Sequence, residues 1–309
     1  MSVTPAMIKE LRESTGAGLL DCKKALAESN GDMEAALEWL RKKGLSKVSK
    51  VAGKIAAEGT VSLQVSDDFK KATLTEVNCQ TDFVAKNENF VGIANEISTY
   101  IHTSGTATLE DLQAGNIGGK SYEEKMGEAI QKVGEKVDVR RFDTISVGET
   151  GAVNGYIHAG GNIGVIVAAE CDSAKTADAV KDILKNIAMH AAAMSPMYMT
   201  EDEIPAEVLE KEKEIAIEEL KKEGKPEAMF DKIIPGKLKR YAKDNALVEQ
   251  PFVMDDKKTV AQALSDAAKE VGGTAKLVAY RRFKVGEGIE KNEVSFADEV
   301  AAQIGAAKA

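Results

Sequence analysis

The amino-acid sequence predicts an α+β chain, in which a small helical module precedes two related mixed modules and the second of these is interrupted by a helical hairpin. Three observations carry this reading. The hydrophobic period is helical over the first stretch of the chain and changes to two at Gly59. A hairpin, helix and closing strand then occur twice, each copy marked by a cysteine ending its hairpin and an Arg-Arg-Phe in its last strand. The interval from cysteine to arginine is 61 residues in the first copy (Cys79 to Arg140) and 110 in the second (Cys171 to Arg281), which leaves 49 extra residues in the latter.

The helical module comes first. Thr4-Pro5 supplies a cap and a first-turn proline, Ile8 and Leu11 take helical spacing, and "TGAG" (Thr15 to Gly18) stops that helix before "LLDCKKAL" starts another. Asn30-Gly31-Asp32 ends the second helix and caps a third, with Met33, Ala36, Leu37 and Leu40 on one face. The basic "KVSKVAGK", Lys47 to Lys54, reads as a flexible linker.

In the first mixed copy, "GTVSLQVS" and "KATLTEVN" alternate apolar and polar residues, and "DDFK" between them suits a hairpin turn. The stretch "NCQTDFVAKN", Asn78 to Asn87, then joins a strand to a helix and reads as a loop with Phe83 beside Asp82 at its centre. Either the ring folds back into the core or the loop holds it out for something else to receive. A helix with Phe90, Ala94, Ile97 and Ile101 on one stripe, the segment "SYEEKMGEAIQKVGEK" and the strand "VDVRRFDTISV" complete the copy.

In the second copy, "AVNGYIHA" and "NIGVIVAAECDS" form the hairpin, "AVKDILKNIAMHAAAM" the helix and "KLVAYRRFKV" the closing strand. The extra residues fall near Glu201 to Asn245 as two amphipathic helices with thin stripes: Leu209, Ala216 and Leu220 in one, Phe230, Ile234, Leu238 and Tyr241 in the other. A hairpin burying so narrow a seam projects from the body, as short coiled coils do. Such a stripe either pairs its own two helices or seeks another chain, so a homodimer through the insert stays open. The expected units are 1–54 (helical module with linker), 55–147, then 148–200 with 246–286, the insert 201–245, and 287–309.

Composition and motifs narrow the function. A net charge of −9 and a pI near 5.2 argue against direct nucleic-acid binding, which needs clustered Lys and Arg. Cys22, Cys79 and Cys171 lie far apart without a CxxC, so neither a disulfide framework nor a zinc site is implied, and a cytoplasmic location fits. No apolar run approaches a membrane span, and the charged N-terminus is unlike a secretion signal. "AGNIGGKS" (Ala114 to Ser121) lacks the first glycine of a phosphate loop and follows no buried strand; a capped helix start at Ser121 explains it better than a phosphate-gripping Lys120. "AGGNIG" (Ala159 to Gly164) lies between two strands and reads as a hairpin turn. His102 and His190 are read as solvent-facing or core-edge residues, whereas His158 ends a strand beside that turn, where it can reach a neighbour. With no GxSxG, no metal-ligand spacing and no nucleophile paired with a base, no catalytic residue, cofactor or metal is expected, and the chain is read as acting by binding rather than as an enzyme.

With these residues in view, the chain resembles bacterial elongation factor Ts along essentially its whole length. The resemblance rests on "LRESTGAGLLDCKKAL", "EVNCQTDFVAKN", "HAGGNIGVIVAAE", "IAMHAAA", "QPFVM" and "RRFKVGEGIEK". It implies a guanine nucleotide exchange factor for elongation factor Tu, active in translation elongation. It also implies an N-terminal ubiquitin-associated-like three-helix module, a core of two subdomains, a coiled-coil insert and a C-terminal helix. By that resemblance Thr81, Asp82, Phe83 and Val84 form the exchange loop. Leu19 and Leu20, with Val253 and Met254, grip the partner's nucleotide-binding domain, and His158 with its glycine turn faces another domain of it. The rival reading is a helical scaffold or ubiquitin-like adaptor that docks through the N-terminal module and the insert without moving nucleotide.

Overall fold

A computed structural model describes residues 3–15, 17–51 and 53–290 of the chain. Of the expected C-terminal helical module, 287–309, residues 287–290 are described and are not helical, and residues 291–309 lie outside the described residues.

Three helices open the fold: α1 (Pro5–Thr15), α2 (Leu19–Glu28) and α3 (Met33–Val51). The Thr4 hydroxyl accepts from the Met7 amide at 3.3 Å, and the Asp32 carboxylate accepts from the Ala35 amide at 2.9 Å, so α1 and α3 each begin on a side-chain cap. Leu11, Cys22, Ala25, Leu26, Ala36 and Leu40 close a small core of their own. The expected linker Lys47 to Lys54 is corrected in part, because α3 continues to Val51 before the chain turns at Gly53 and Lys54. No proline interrupts this stretch, and Val51 packs against the core beneath the next helices, so tertiary contact extends a segment whose composition looked loose.

The first sheet has strand order β1-β2-β5, from β1 (Glu58–Val65), β2 (Lys71–Cys79) and β5 (Asp138–Ser146), with both pairings antiparallel. Between β2 and β5 lie α4 (Asp82–Ala85), α5 (Glu88–Ser104), α6 (Leu109–Gln113), the short hairpin β3 (Asn116–Ile117) and β4 (Lys120–Ser121), and α7 (Tyr122–Val133). The phosphate-loop look-alike is that hairpin: Lys120 pairs with Glu128, and Ser121 caps α7 in a capping box with Glu124. Helices α5 and α7 cover one face of the sheet, with Phe90, Ile97, Met126 and Ile130 buried against Val77 and Val139.

The second sheet has order β6-β7-β10, from β6 (Gly151–Ile157), β7 (Ile163–Cys171) and β10 (Ala275–Lys284). Its outer face is covered by α8 (Ala174–Ala179), α9 (Lys181–Met194) and α12 (Val260–Lys269), around Val165, Val167, Leu184, Ile187 and Leu264. The inner faces of the two sheets meet in a third core, where Val61, Leu74 and Ile145 pack on Val153, Ile166 and Phe283. Helix, sheet, sheet and helix therefore stack in four layers. Between α9 and α12 come α10 (Ala206–Lys222), α11 (Phe230–Asn245), and the short strands β8 (Pro251–Phe252) and β9 (Asp255–Thr259). Helices α10 and α11 bury Ala216, Leu220, Phe230 and Ile234 in a cluster separate from the body's cores.

The repeated Arg-Arg-Phe motif braces the layers. Glu76 is fully buried and accepts from Arg140 at 3.1 Å, from Arg141 at 2.6 Å and from the Gly286 amide at 2.8 Å. Arg281 of the second copy reaches back to Asp143 at 2.6 Å. One buried carboxylate thus fastens the segment after β10 to the first sheet, with charge-assisted bonds on both of its oxygens.

Candidate partner-binding surface

The stretch from Thr81 to Val84, expected as a loop, forms a single helical turn, α4. Thr81 is its N-cap, accepting from the Val84 amide at 3.3 Å, and Asn87 caps α5 by accepting from the Asn89 amide at 2.9 Å. Two caps six residues apart leave no slack, so the chain between them coils instead of looping. Val84 and Ala85 lean on the α5–α7 core, whereas Phe83 points away and is 84% exposed. Burial of the ring in its own module is therefore excluded. The Asp82 carboxylate lies 2.9 Å from the Lys86 ammonium, and that hydrogen bond holds it below the usual carboxylate range. An exposed apolar ring beside a carboxylate that stays ionised is suited to inserting between groups of another protein, not to packing at home.

Leu19 and Leu20 occupy the first turn of α2 at 57% and 79% exposure, so neither fills the core of the N-terminal module. Val253 and Met254 sit in the turn between β8 and β9, about half exposed. His190 explains how that turn is held, and the sequence reading misplaced it: far from facing solvent or the core edge, it is fully buried in α9. Its Nε2 bonds Gln250 Oε1 at 2.9 Å, and its Nδ1 accepts from the Val253 amide at 3.2 Å. Accepting at Nδ1 requires a neutral ring, and burial lowers the pKa in the same sense. The one signal available in the sequence was an unpaired histidine inside an otherwise small-residue helical run, "IAMHAAA".

His158 directly follows β6, exposed, with Tyr156 Oη at 3.5 Å from its Nδ1. The turn that follows approaches β1 so closely that a Cβ at Gly161 would lie 2.2 Å from Thr60 Oγ1, and Gly161 has φ +75°; both facts require glycine. A groove of ≈ 480 Å³ is lined by Gly160 and Gly161 of this turn and by Ala85 and Lys86 at the end of α4, with Val61 and Leu63 among its other residues. The glycine turn and the end of α4 thus line the same groove. Leu19 and Leu20, and Val253 and Met254, stand on separate elements.

Among the described residues, no group of three or more His, Cys, Asp or Glu side chains is placed to hold a metal ion, and no helix is long and apolar enough to cross a membrane. Cys22 and Cys79 are buried and Cys171 half-buried, all as free thiols.

Comparison with known proteins places the chain in a family. The family model described as Elongation factor TS matches residues 80–287. The chain is 53% identical over 304 residues to the elongation factor Ts of a Nitratiruptor species, covering 98% of this chain and 100% of that protein. It is 54% identical over 304 residues to that of Nautilia profundicola (98% and 99%), and 46% identical over 300 residues to that of Clostridium perfringens (97% and 98%). A match of this extent and identity leaves one assignment: the chain belongs to the elongation factor Ts family.

Proposed function

We propose that the chain is a guanine nucleotide exchange factor for elongation factor Tu, with Asp82 and Phe83 as its wedge. The observation that carries this reading is the position of Phe83, 84% exposed on a one-turn helix that buries none of its own residues. Inserted between switch-region helices of the GTPase, the ring and its neighbouring carboxylate displace groups that hold Mg²⁺ and the GDP β-phosphate. Nucleotide affinity depends on that preorganised phosphate and metal cradle, so it falls without any contact between wedge and nucleotide. Linkage completes the cycle: a protein that binds the nucleotide-free GTPase more tightly than the GDP form must weaken GDP by the same factor, and GTP then refills the site and releases it. No bond is made or broken.

In this reading Thr81 and Val84 fix the wedge, Leu19, Leu20, Val253 and Met254 grip the nucleotide-binding domain, and His158 with its glycine turn meets a second domain. The three-helix module, two related subdomains and insert act as the frame that spaces these contacts, at the boundaries expected above. The test is release of a fluorescent GDP from elongation factor Tu with increasing amounts of the chain. Acceleration that saturates with concentration is expected. An unchanged rate at saturating protein would leave the scaffold reading in its place.

A further inference from the structure

The helix that carries Phe83 should not persist by itself. It is four residues long and buries none of them, and one isolated helical turn fixes several dihedral angles for very few hydrogen bonds. Yet the wedge reading requires a ring held out in a definite direction. Val84 and Ala85 lean on the core, and the polar contacts that hold the turn converge on Thr81, the distant ones from a single residue.

Glu135 supplies most of them. Its Oε2 accepts from the Gln80 amide at 3.1 Å and from the Thr81 amide at 3.0 Å, and its Oε1 accepts from the Thr81 hydroxyl at 2.7 Å. From the other side, the Cys79 thiol donates to the Thr81 carbonyl at 3.2 Å, and the Ala85 amide donates to the same oxygen at 3.1 Å. Burial, and secondarily the charge of Glu135, push the Cys79 thiol up to about 12, so it stays protonated and remains a donor at neutral pH. Both main-chain polar groups of Thr81 and its hydroxyl are engaged. The base of the clamp is rigid, since Glu135 follows Gly134, which ends α7 at φ +82°, and α7 is anchored by buried Met126, Ala129 and Ile130. A carboxylate accepting three bonds is also the strongest acceptor available there.

We propose that Glu135 is a positioning residue, holding α4 formed and Phe83 projected before any partner arrives; this deepens, and rests on, the exchange-factor reading. The side chain touches neither nucleotide nor, by this account, the GTPase. Its effect passes entirely through Thr81 and α4, so the wedge meets its partner without first having to be ordered.

The test uses the full chain with Glu135→Ala, Glu135→Gln, Phe83→Ala, the double variant Glu135→Ala/Phe83→Ala, and Glu128→Ala as a charge-matched control on α7. Two readouts are taken: amide hydrogen exchange over residues 81–86, and release of fluorescent GDP from elongation factor Tu. Glu135→Ala is expected to speed amide exchange in that segment about tenfold with the rest of the chain unchanged, and to slow stimulated GDP release about tenfold. Glu135→Gln recovers part of both effects, Glu128→Ala neither, and Glu135→Ala adds nothing to Phe83→Ala. Unaltered protection of residues 81–86 in Glu135→Ala overturns the clamp, as do losses that multiply in the double variant. If Glu135→Ala fails to fold, Glu135→Gln decides by the same criteria. Should Phe83→Ala leave stimulated GDP release untouched, the wedge role of Phe83 falls, while the hydrogen-exchange result still decides whether Glu135 holds α4.

Discussion

Replacing Phe83 by alanine separates folding from function, because the structure assigns the ring almost no part in the first. With 84% of the residue exposed, only about a sixth of its surface is covered in the free chain. Full burial of a phenylalanine side chain contributes roughly 1.5–3 kcal/mol, so the covered part contributes about 0.3–0.5 kcal/mol, within the ordinary range of surface substitutions. If a partner buries the ring completely, the remainder is lost from the complex that expels GDP, on the order of 1–2.5 kcal/mol. That corresponds to a drop of roughly 5- to 70-fold in the second-order rate of stimulated GDP release. The assay is stopped-flow release of fluorescent GDP across a range of protein concentrations, paired with thermal melting by circular dichroism. Phe83→Leu should retain part of the activity, since it keeps apolar volume but not the flat ring. Stimulation unchanged in Phe83→Ala would refute the reasoning, and so would a loss of activity accompanied by a matching fall in melting temperature.

Other substitutions probe the frame around the proposed wedge. Glu76→Ala strands two arginines and the Gly286 amide, so the chain should lose about 3 kcal/mol of stability, read as a lower urea midpoint. His190 gives a pH dependence of known sign. Its folded pKa lies below the ordinary value near 6.5, so as pH falls below about 6.5 the unfolded chain takes up a proton that the folded chain resists, and stability declines. His102, also lowered by burial and by Lys71, acts in the same direction. Urea titrations at pH 5.5 and 7.5 should show the decline in the wild type and a smaller one in His190→Gln. Leu19→Ser with Leu20→Ser should leave the melting temperature in place and raise the protein concentration for half-maximal GDP release about tenfold, with the plateau rate retained.

Much of this protein could be read from local signals. The change from helical to two-residue period, the glycine and proline punctuation and the recurrence of a cysteine and an Arg-Arg-Phe are properties of short segments, and short segments determine which elements form. Ser121 as the cap of α7 belongs to the same class, because a cap bonds amides two or three residues away. Tertiary structure decided whatever depends on partners distant in the chain. Val51 ends α3 against a core closed by residues distant in the chain, the segment Asp82 to Ala85 is a turn of helix instead of a loop, and Phe83 is outside rather than in. The buried charge of Glu76 is satisfied by arginines 64 and 65 residues on and by a glycine amide 210 residues away, and His190 finds Gln250 and Val253 after 60 and 63 residues. Glu135, which meets Thr81 across 54 residues, looks in sequence like any other acidic residue at the end of a charged helix. A buried polar group must find a complement, but the linear chain does not record where that complement lies until the cores have closed around it.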